Sequence, residues 1–273
     1  MAVLCGAAGT EPGGEPLMHA LDHTTPDVTI DGNWYATAFD ALYPVIYANR
    51  TVEAATRESL FAIEQLRLCE SCSVLDLCCG NGRHMKHLLA HTPRVVGLDY
   101  SPTLLGLAQR LLDGGGFLLR GDMRAIPFVG TFDAVANFFT SFGYFQEEME
   151  NLAVARGIAR ALKRDGRFFM DYLNPVHVVQ TLVPETSRNA GGYTILEQRW
   201  IDSATQRVNK TMLVQKDGVE VSRSSESVRL YGRDELTALL GVAGLAVEAI
   251  YGDYDGCGPG DDKPRQIVVG TRS

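Results

Sequence analysis

Long uninterrupted apolar runs are missing from this chain. None reaches the roughly 18 residues that a membrane-spanning helix needs, so no membrane is expected as a partner. Basic charge is also scarce. Lys and Arg number 25 against 33 Asp and Glu, a net charge of −8, so the chain as a whole repels a phosphate backbone and nucleic acid is not an expected partner. Residues 1–30 hold no Lys or Arg but carry Glu11, Glu15, Asp22 and Asp27, whereas a secretory leader starts basic and a transit peptide carries arginines. The expected compartment is therefore cytoplasmic. Cysteine is sparse as well: Cys5, Cys69, Cys72, Cys78, Cys79 and Cys257, placed in a reducing compartment, predict free thiols and no structural disulfide.

What is present is an ordinary globular composition, 45% hydrophobic and 21% charged over 273 residues, which suits one α/β domain carrying an insertion. Residues 1–32 lack any hydrophobic period and read as a mobile arm, leaving 33–273 as a single domain. Its first part, 33–70, reads as cap helices: Trp34, Tyr35, Phe39, Leu42, Tyr43, Val45, Ile46 and Tyr47 recur at helical spacing, with a kink expected near Pro44. A second helix is expected over 53–68. From Ser73, short aliphatic runs alternate with helical patterns: strands at 74–77, 95–99, 117–119, 132–137 and 167–172, with helices at 82–89, 102–112 and 146–162 between them. That alternation predicts βαβ crossovers and a mostly parallel sheet with helices on both faces, binding ligands at the carboxyl ends of its strands. Residues 193–230 break the pattern and read as an antiparallel β insertion turning at Asp217-Gly218. It forms either a lid or a contact between two copies. A helix at 233–240, a strand at 245–251, a Gly/Asp loop at 252–264 and a strand at 266–270 complete the chain.

The sharpest chemical signal is Val74-Leu75-Asp76-Leu77-Cys78-Cys79-Gly80-Asn81-Gly82-Arg83-His84, a strand entering a Gly-x-Gly turn and then a helix. Gly80 and Gly82 let backbone approach a ligand closely, and Asp99 ends the next strand, where a carboxylate can accept from both hydroxyls of a ribose. Met85 stands where a dinucleotide fingerprint wants a third glycine, and Asp76 would repel a pyrophosphate. An ammonium and a sulfonium suit it better, so S-adenosylmethionine fits the pattern where a nicotinamide dinucleotide does not. Gly121-Asp122-Met123-Arg124, after the third strand, offers a carboxylate and an apolar side chain for adenine.

The stretch Asp76 to Gly82, with Asp99, Asp122-Met123 and Phe132-Asp133-Ala134-Val135, resembles the motifs of class I S-adenosylmethionine-dependent methyltransferases. Gly82-Arg83-His84 and Thr140-Ser141-Phe142-Gly143-Tyr144, with the insertion, are similar to bacterial small-molecule members such as the amino-sugar N,N-dimethyltransferases. The resemblance implies a Rossmann-like seven-stranded sheet whose last strand is antiparallel. It implies S-adenosylmethionine as cofactor, a small-molecule acceptor, and transfer of methyl to N or O by in-line displacement. It further implies contacts from the Gly80 backbone to the methionine amine, from Asp99 to the ribose with Tyr100 beside it, and from Asp122, Met123 and Arg124 around the adenine. Asp76, Cys78, Gly82 and Arg83 are further cofactor-binding candidates, the strand end near Asn137-Phe138 would help hold the methionine moiety, and Tyr35 and Tyr43 lie on the segment that folds over the cofactor. Three loop residues at the ligand end of the sheet, Tyr144, His177 and Tyr254, are candidates for contact or proton transfer at the acceptor, Tyr144 first among them. Where related enzymes often carry His, this chain has Tyr144. Cys69-x-x-Cys72 lies too near Cys78-Cys79 for a zinc-ribbon spacing, so no metal is expected. Two other readings stay open: non-methyl chemistry on the same cofactor, and a non-catalytic subunit that only binds it.

Overall fold

The computed structural model describes residues 28–273, so the expected arm lies outside the described residues apart from its last positions. Aliphatic runs buried on both faces form the centre of a seven-stranded sheet, as a parallel sheet covered by helices requires. Its first strands are β1 (Val74–Leu77), β2 (Val95–Asp99), β3 (Phe117–Arg120), β4 (Phe132–Asn137) and β5 (Leu162–Leu173). All pair in parallel, and every residue of β1 is buried. With β10 (Leu245–Tyr251) and β11 (Arg265–Arg272) the order is β10-β11-β5-β4-β1-β2-β3, and β11 runs antiparallel to both neighbours. The chain leaves β1 toward β2 on one side and returns to β4 on the other, which opens a crevice at their carboxyl ends.

Helices α3 (Arg83–His91), α4 (Pro102–Leu112), α5 (Glu148–Ala161) and α7 (Arg233–Val242) flank this sheet. Ser101 caps α4, its side chain accepting from the Leu104 N–H while Pro102 supplies the preset first turn. Two apolar clusters fill the faces of the sheet, one around Leu75, Leu77, Phe132 and Phe168, the other around Val74, Met85, Leu88 and Phe169.

The segment before the sheet departs from expectation. A long kinked helix is replaced by a single 3-10 turn, Trp34–Ala36, and a short helix α1 (Tyr43–Ile46), followed by α2 (Ala55–Gln65). Pro44 sits in the first turn of α1 and so opens a helix instead of bending one, and the Asp40 carboxylate accepts from the Leu42 N–H just ahead of it. The apolar side chains recur at helical spacing here because the segment lies folded against the molecule, not because it is one helix.

The antiparallel insertion is larger than the sequence suggests. It is a four-stranded meander, β6 (Glu185–Ala190), β7 (Tyr193–Asp202), β8 (Arg207–Lys216) and β9 (Val219–Arg229), preceded by α6 (Pro175–Thr181). Asp217 and Gly218 both take left-handed backbone, the turn expected there. Strand β6 carries no large apolar residue, so alternation of hydrophobicity could not reveal it. Tyr43, Ile46 and Tyr47 pack with Leu104 and with Ile195, Met212 and Val214 of the second sheet, which holds that sheet beside the carboxyl ends of the first.

Cys69 and Cys72 are joined in a disulfide, against the expectation of free thiols. The turn between them, in which the Cys72 N–H donates to the Cys69 carbonyl at 3.0 Å, holds their Cα atoms 5.2 Å apart, within bonding range. Among the described residues no helix is long and apolar enough to cross a membrane.

Candidate functional site

The carboxyl ends of β1, β2 and β4 open onto a cavity of about 830 Å³, mouth included. One half of it is built by the turn after β1. Cys78 takes left-handed backbone (φ 62°), as do Gly80 (55°) and Gly82 (81°), and the Cys78 and Cys79 N–H groups both donate to the Leu98 carbonyl, at 2.7 and 3.1 Å. A side chain on Gly82 would be strained by its backbone and would approach Ala108 of α4 to 3.1 Å. Asp99 ties this turn to the next strand end, accepting from the Gly80 N–H and the Ser101 N–H at 2.8 Å each. Asp122 and Met123 follow β3 at the same rim, and Met123 lies 3.5 Å from the Cys78 sulfur.

Asp76 lies one layer below. It is 1% exposed, one carboxylate oxygen has no partner, and burial, with the charge of Asp99, raises its pKa to about 8. A buried carboxyl with an unmet acceptor beneath a glycine turn fits a cofactor that brings a positive charge. The same burial has a consequence for stability. Below the ordinary aspartate value of 3.8 folded and unfolded chains both hold the proton; between there and about 8 only the folded chain does. The contribution of this group therefore falls as pH rises through that window and is flat above it. Asp76→Asn should remove the dependence, so its melting temperature declines less than that of the wild type between pH 5 and 9; parallel melting curves against pH would refute this.

The other half of the cavity follows β4. Phe139 and Thr140 both take left-handed backbone (57° and 59°), an uncommon pair for side chains of this size. Fully buried Asp171 holds them: it accepts from the Phe139 N–H at 2.8 Å and from the Arg265 Nε at 2.6 Å, while its own carbonyl receives the Thr140 N–H at 2.8 Å. The Tyr254 hydroxyl donates to the same carboxylate, so Tyr254 anchors this loop from outside and does not line the cavity. His177, on α6, is half-buried and also away from it. Two of the three acceptor candidates are thus corrected by the fold.

Tyr144 is the one that remains. It lines the cavity, its ring 4.7 Å from that of Trp34 and nearly parallel to Phe39. Burial, reinforced by the charge of Glu226, pushes its phenol well above 10, so it stays protonated and offers a hydrogen bond. His84 also reaches the cavity, stacked 4.1 Å from the Phe138 ring. Its Nε2 lies 2.5 Å from Glu58, which favours the charged ring, but burial outweighs that and, helped by the charge of Arg83 on the same carboxylate at 3.1 Å, lowers its pKa to about 4. The imidazole is neutral at pH 7.

Of the residues expected at the cofactor, Tyr35, Tyr43, Cys78, Gly80, Arg83, Asp99, Tyr100, Asp122, Met123 and Phe138 line the cavity. Asp76, Gly82, Arg124 and Asn137 do not. Arg124 stands behind Asp122, bonded to it at 2.6 Å and to Glu150 at 2.5 Å, and Asn137 donates to the Leu77 carbonyl between strands. Of the phenylalanines after β4, which the sequence leaves divided between core and pocket, Phe138, Phe139 and Phe145 line it; Phe39, Arg50 and Ser141, given no cavity role by the sequence, line it too. Ser141 belongs to the Thr140–Tyr144 motif and was within reach of it; Arg50 follows no periodic signal.

A crevice at the point where strand order reverses, with one reversed strand closing the sheet, places the chain among Rossmann-like nucleoside-binding enzymes. The family model for a methyltransferase domain matches residues 74–166. The chain is 31% identical over 210 residues to the cypemycin N-terminal methyltransferase of a Streptomyces species, covering 72% of this chain and 81% of that one. It is 27% identical to the dTDP-3-amino-3,6-dideoxy-alpha-D-glucopyranose N,N-dimethyltransferase of Streptomyces fradiae, covering 69% of this chain and 76% of that one. Among solved structures, an S-adenosylmethionine-dependent methyltransferase from Clostridium acetobutylicum superposes with a TM-score of 0.72 at 16% identity, over 85% of this chain and 96% of that one. The S-adenosylmethionine-bound amino pentose methyltransferase CalS10 from Micromonospora echinaspora superposes at 0.63 with 22% identity, over 83% and 95%. The chain belongs to the class I S-adenosylmethionine-dependent methyltransferases; it is an enzyme, and S-adenosylmethionine is its cofactor.

Proposed function

We propose that the enzyme methylates the amine nitrogen of a small-molecule acceptor of the amino-sugar class. The observation that carries this reading is that, apart from the Asp99 and Asp122 carboxylates assigned to the cofactor, no described cavity residue is poised to take a proton from a hydroxyl. The Tyr144 phenol is held protonated, and the His84 imidazole is weakly basic and engaged by Glu58. A neutral amine needs no such base, because its lone pair is free before reaction. The relatives named for an amino-sugar N,N-dimethyltransferase and an N-terminal methyltransferase support the same choice of atom.

Bound S-adenosylmethionine supplies an electrophilic methyl on a sulfonium. Around it we assign Asp99 to the ribose hydroxyls, Asp122 and Met123 to the adenine, and the Gly80 backbone, with Asp76 beneath, to the methionine ammonium. Tyr35, Tyr43, Phe39 and Phe138 surround the remaining space with aromatic faces that favour a cation and exclude water. Tyr144 donates to the acceptor and orients the nitrogen in line with the methyl. The nitrogen–carbon bond forms as the carbon–sulfur bond breaks, and the methylated ammonium loses its proton to water on release. The second sheet, packed over α1, closes the acceptor end as a lid on the remainder of a single 33–273 domain.

Methyl-labelled cofactor incubated with a nucleotide-linked amino sugar and with its hydroxyl counterpart tests this. Label is expected on the amine alone, with kcat/KM rising with pH along the titration of the acceptor itself. Tyr144→Phe should raise the acceptor KM about tenfold, the scale of one lost hydrogen bond, and leave binding of the demethylated cofactor unchanged. Equal labelling of the hydroxyl compound would overturn the assignment.

A further inference from the structure

The bonded pair Cys69 and Cys72 closes a turn just ahead of β1, at the opposite end of that strand from the cavity. Stability gives the bond little to do. A cross-link between residues three apart in sequence closes too short a loop to constrain the unfolded chain much. The turn is also held by other means. The His91 imidazole reaches the Leu68 carbonyl at 2.9 Å, the Arg94 guanidinium donates to the Ser71 carbonyl at 3.2 Å, and the Thr92 hydroxyl is shared by the Glu70 and Cys72 carbonyls at 3.1 and 2.7 Å. These donors come from the end of α3 and the residues after it, so the turn keeps the two cysteines together whether or not they are bonded.

The two sulfurs are not equivalent. Cys69 is exposed and Cys72 half-buried, and the Cys69 N–H donates to the Cys72 sulfur at 3.0 Å. An incoming thiol has the freer approach to Cys69, and negative charge left on Cys72 already faces a backbone donor. We propose that Cys69–Cys72 is a thiol–disulfide exchange site, attacked at Cys69, whose partner is a dithiol. The incoming thiolate bonds to the Cys69 sulfur as the Cys69–Cys72 bond breaks, and Cys72 leaves as a thiolate. The partner's second thiol then attacks the partner's own sulfur in the mixed disulfide and releases Cys69. Two electrons and two protons have passed from the dithiol, now a disulfide, to the cysteine pair. An oxidised partner drives the same steps backward.

The test treats the full chain with dithiothreitol, a small dithiol, without denaturant, then alkylates it and maps the adducts by mass spectrometry. Both Cys69 and Cys72 are expected to be alkylated, the reduced chain to melt within a few degrees of the oxidised one, and glutathione disulfide to restore the bond. The direction is read from single variants: glutathione disulfide should modify Cys69 in Cys72→Ser at least about tenfold faster than Cys72 in Cys69→Ser. A bond that opens only in denaturant, or whose reduction unfolds the chain, is structural and overturns the proposal. So does a pair that is alkylated before any reductant and that glutathione disulfide fails to join. Equal rates in the two variants, or a faster Cys72, overturn the attack at Cys69. None of these readouts involves methyl transfer, so they stand or fall apart from the function proposed above.

Discussion

Asp99→Ala is expected to lower affinity for S-adenosylhomocysteine by about 100-fold or more. The buried carboxylate already accepts the Gly80 and Ser101 N–H groups at 2.8 Å, and its remaining lone pairs face the cavity where we place the ribose. Hydrogen bonds to an ionised acceptor are worth about 1.5–3 kcal/mol each, so losing two of them to the ribose accounts for about 3 kcal/mol before any loosening of the glycine turn. Burial raises the pKa of this carboxyl while the backbone donors oppose the rise. A nearby sulfonium would favour the ionised form further. Calorimetry reads the affinity and a melting curve verifies that the variant is folded; binding within a few-fold of wild type would remove Asp99 from the ribose.

The second large effect is expected at Arg207, in the insertion. Its guanidinium is buried and bonds to neutral oxygens: the carbonyls of Phe145 (3.0 Å), Gly143 (3.2 Å) and Tyr144 (2.8 Å), and both the carbonyl and hydroxyl of Ser227. One side chain of β8 thus fixes three consecutive residues of the loop that carries Tyr144. Arg207→Met would leave the Tyr144 carbonyl without its donor in a dry environment, while the Gly143 and Phe145 carbonyls keep the Arg229 N–H and the Asn151 amide, at a cost of about 2 kcal/mol. Urea unfolding should show that loss. Kinetics of the folded fraction should show a raised acceptor KM with little change in cofactor binding, because none of these contacts reaches the turn after β1. A variant as stable as wild type, with unchanged KM, would separate the insertion from the acceptor loop.

The residues proposed to hold the nucleoside were legible as a group because they are local. Asp76, Gly80 and Gly82 fall within seven residues, Asp99 ends the next strand and Asp122 follows the one after, so reading strand ends was enough to bring these residues to one end of the sheet. The acceptor half was not, because it is assembled across distance. Arg50 comes from the segment ahead of the sheet and reaches the cavity only through the fold. Tyr254 sits on a loop at the ligand end, as the sequence indicated, but the buried Asp171 of β5 claims its hydroxyl. Polar strand β6 and short helix α6 left no periodic trace, and Pro44, read as a kink, proved to be a start.

The left-handed pair Phe139-Thr140 is held from behind by Asp171, Arg265 and Tyr254, and the loop beyond it from the far side by Arg207. On the proposed reading, then, the loop assigned to the acceptor is clasped by the insertion and the turn assigned to the cofactor is not. Exchange of the 185–229 hairpins between kindred enzymes would alter which molecules are accepted, provided the arginine clasp travels with them, and would leave the adenosyl cleft as it was.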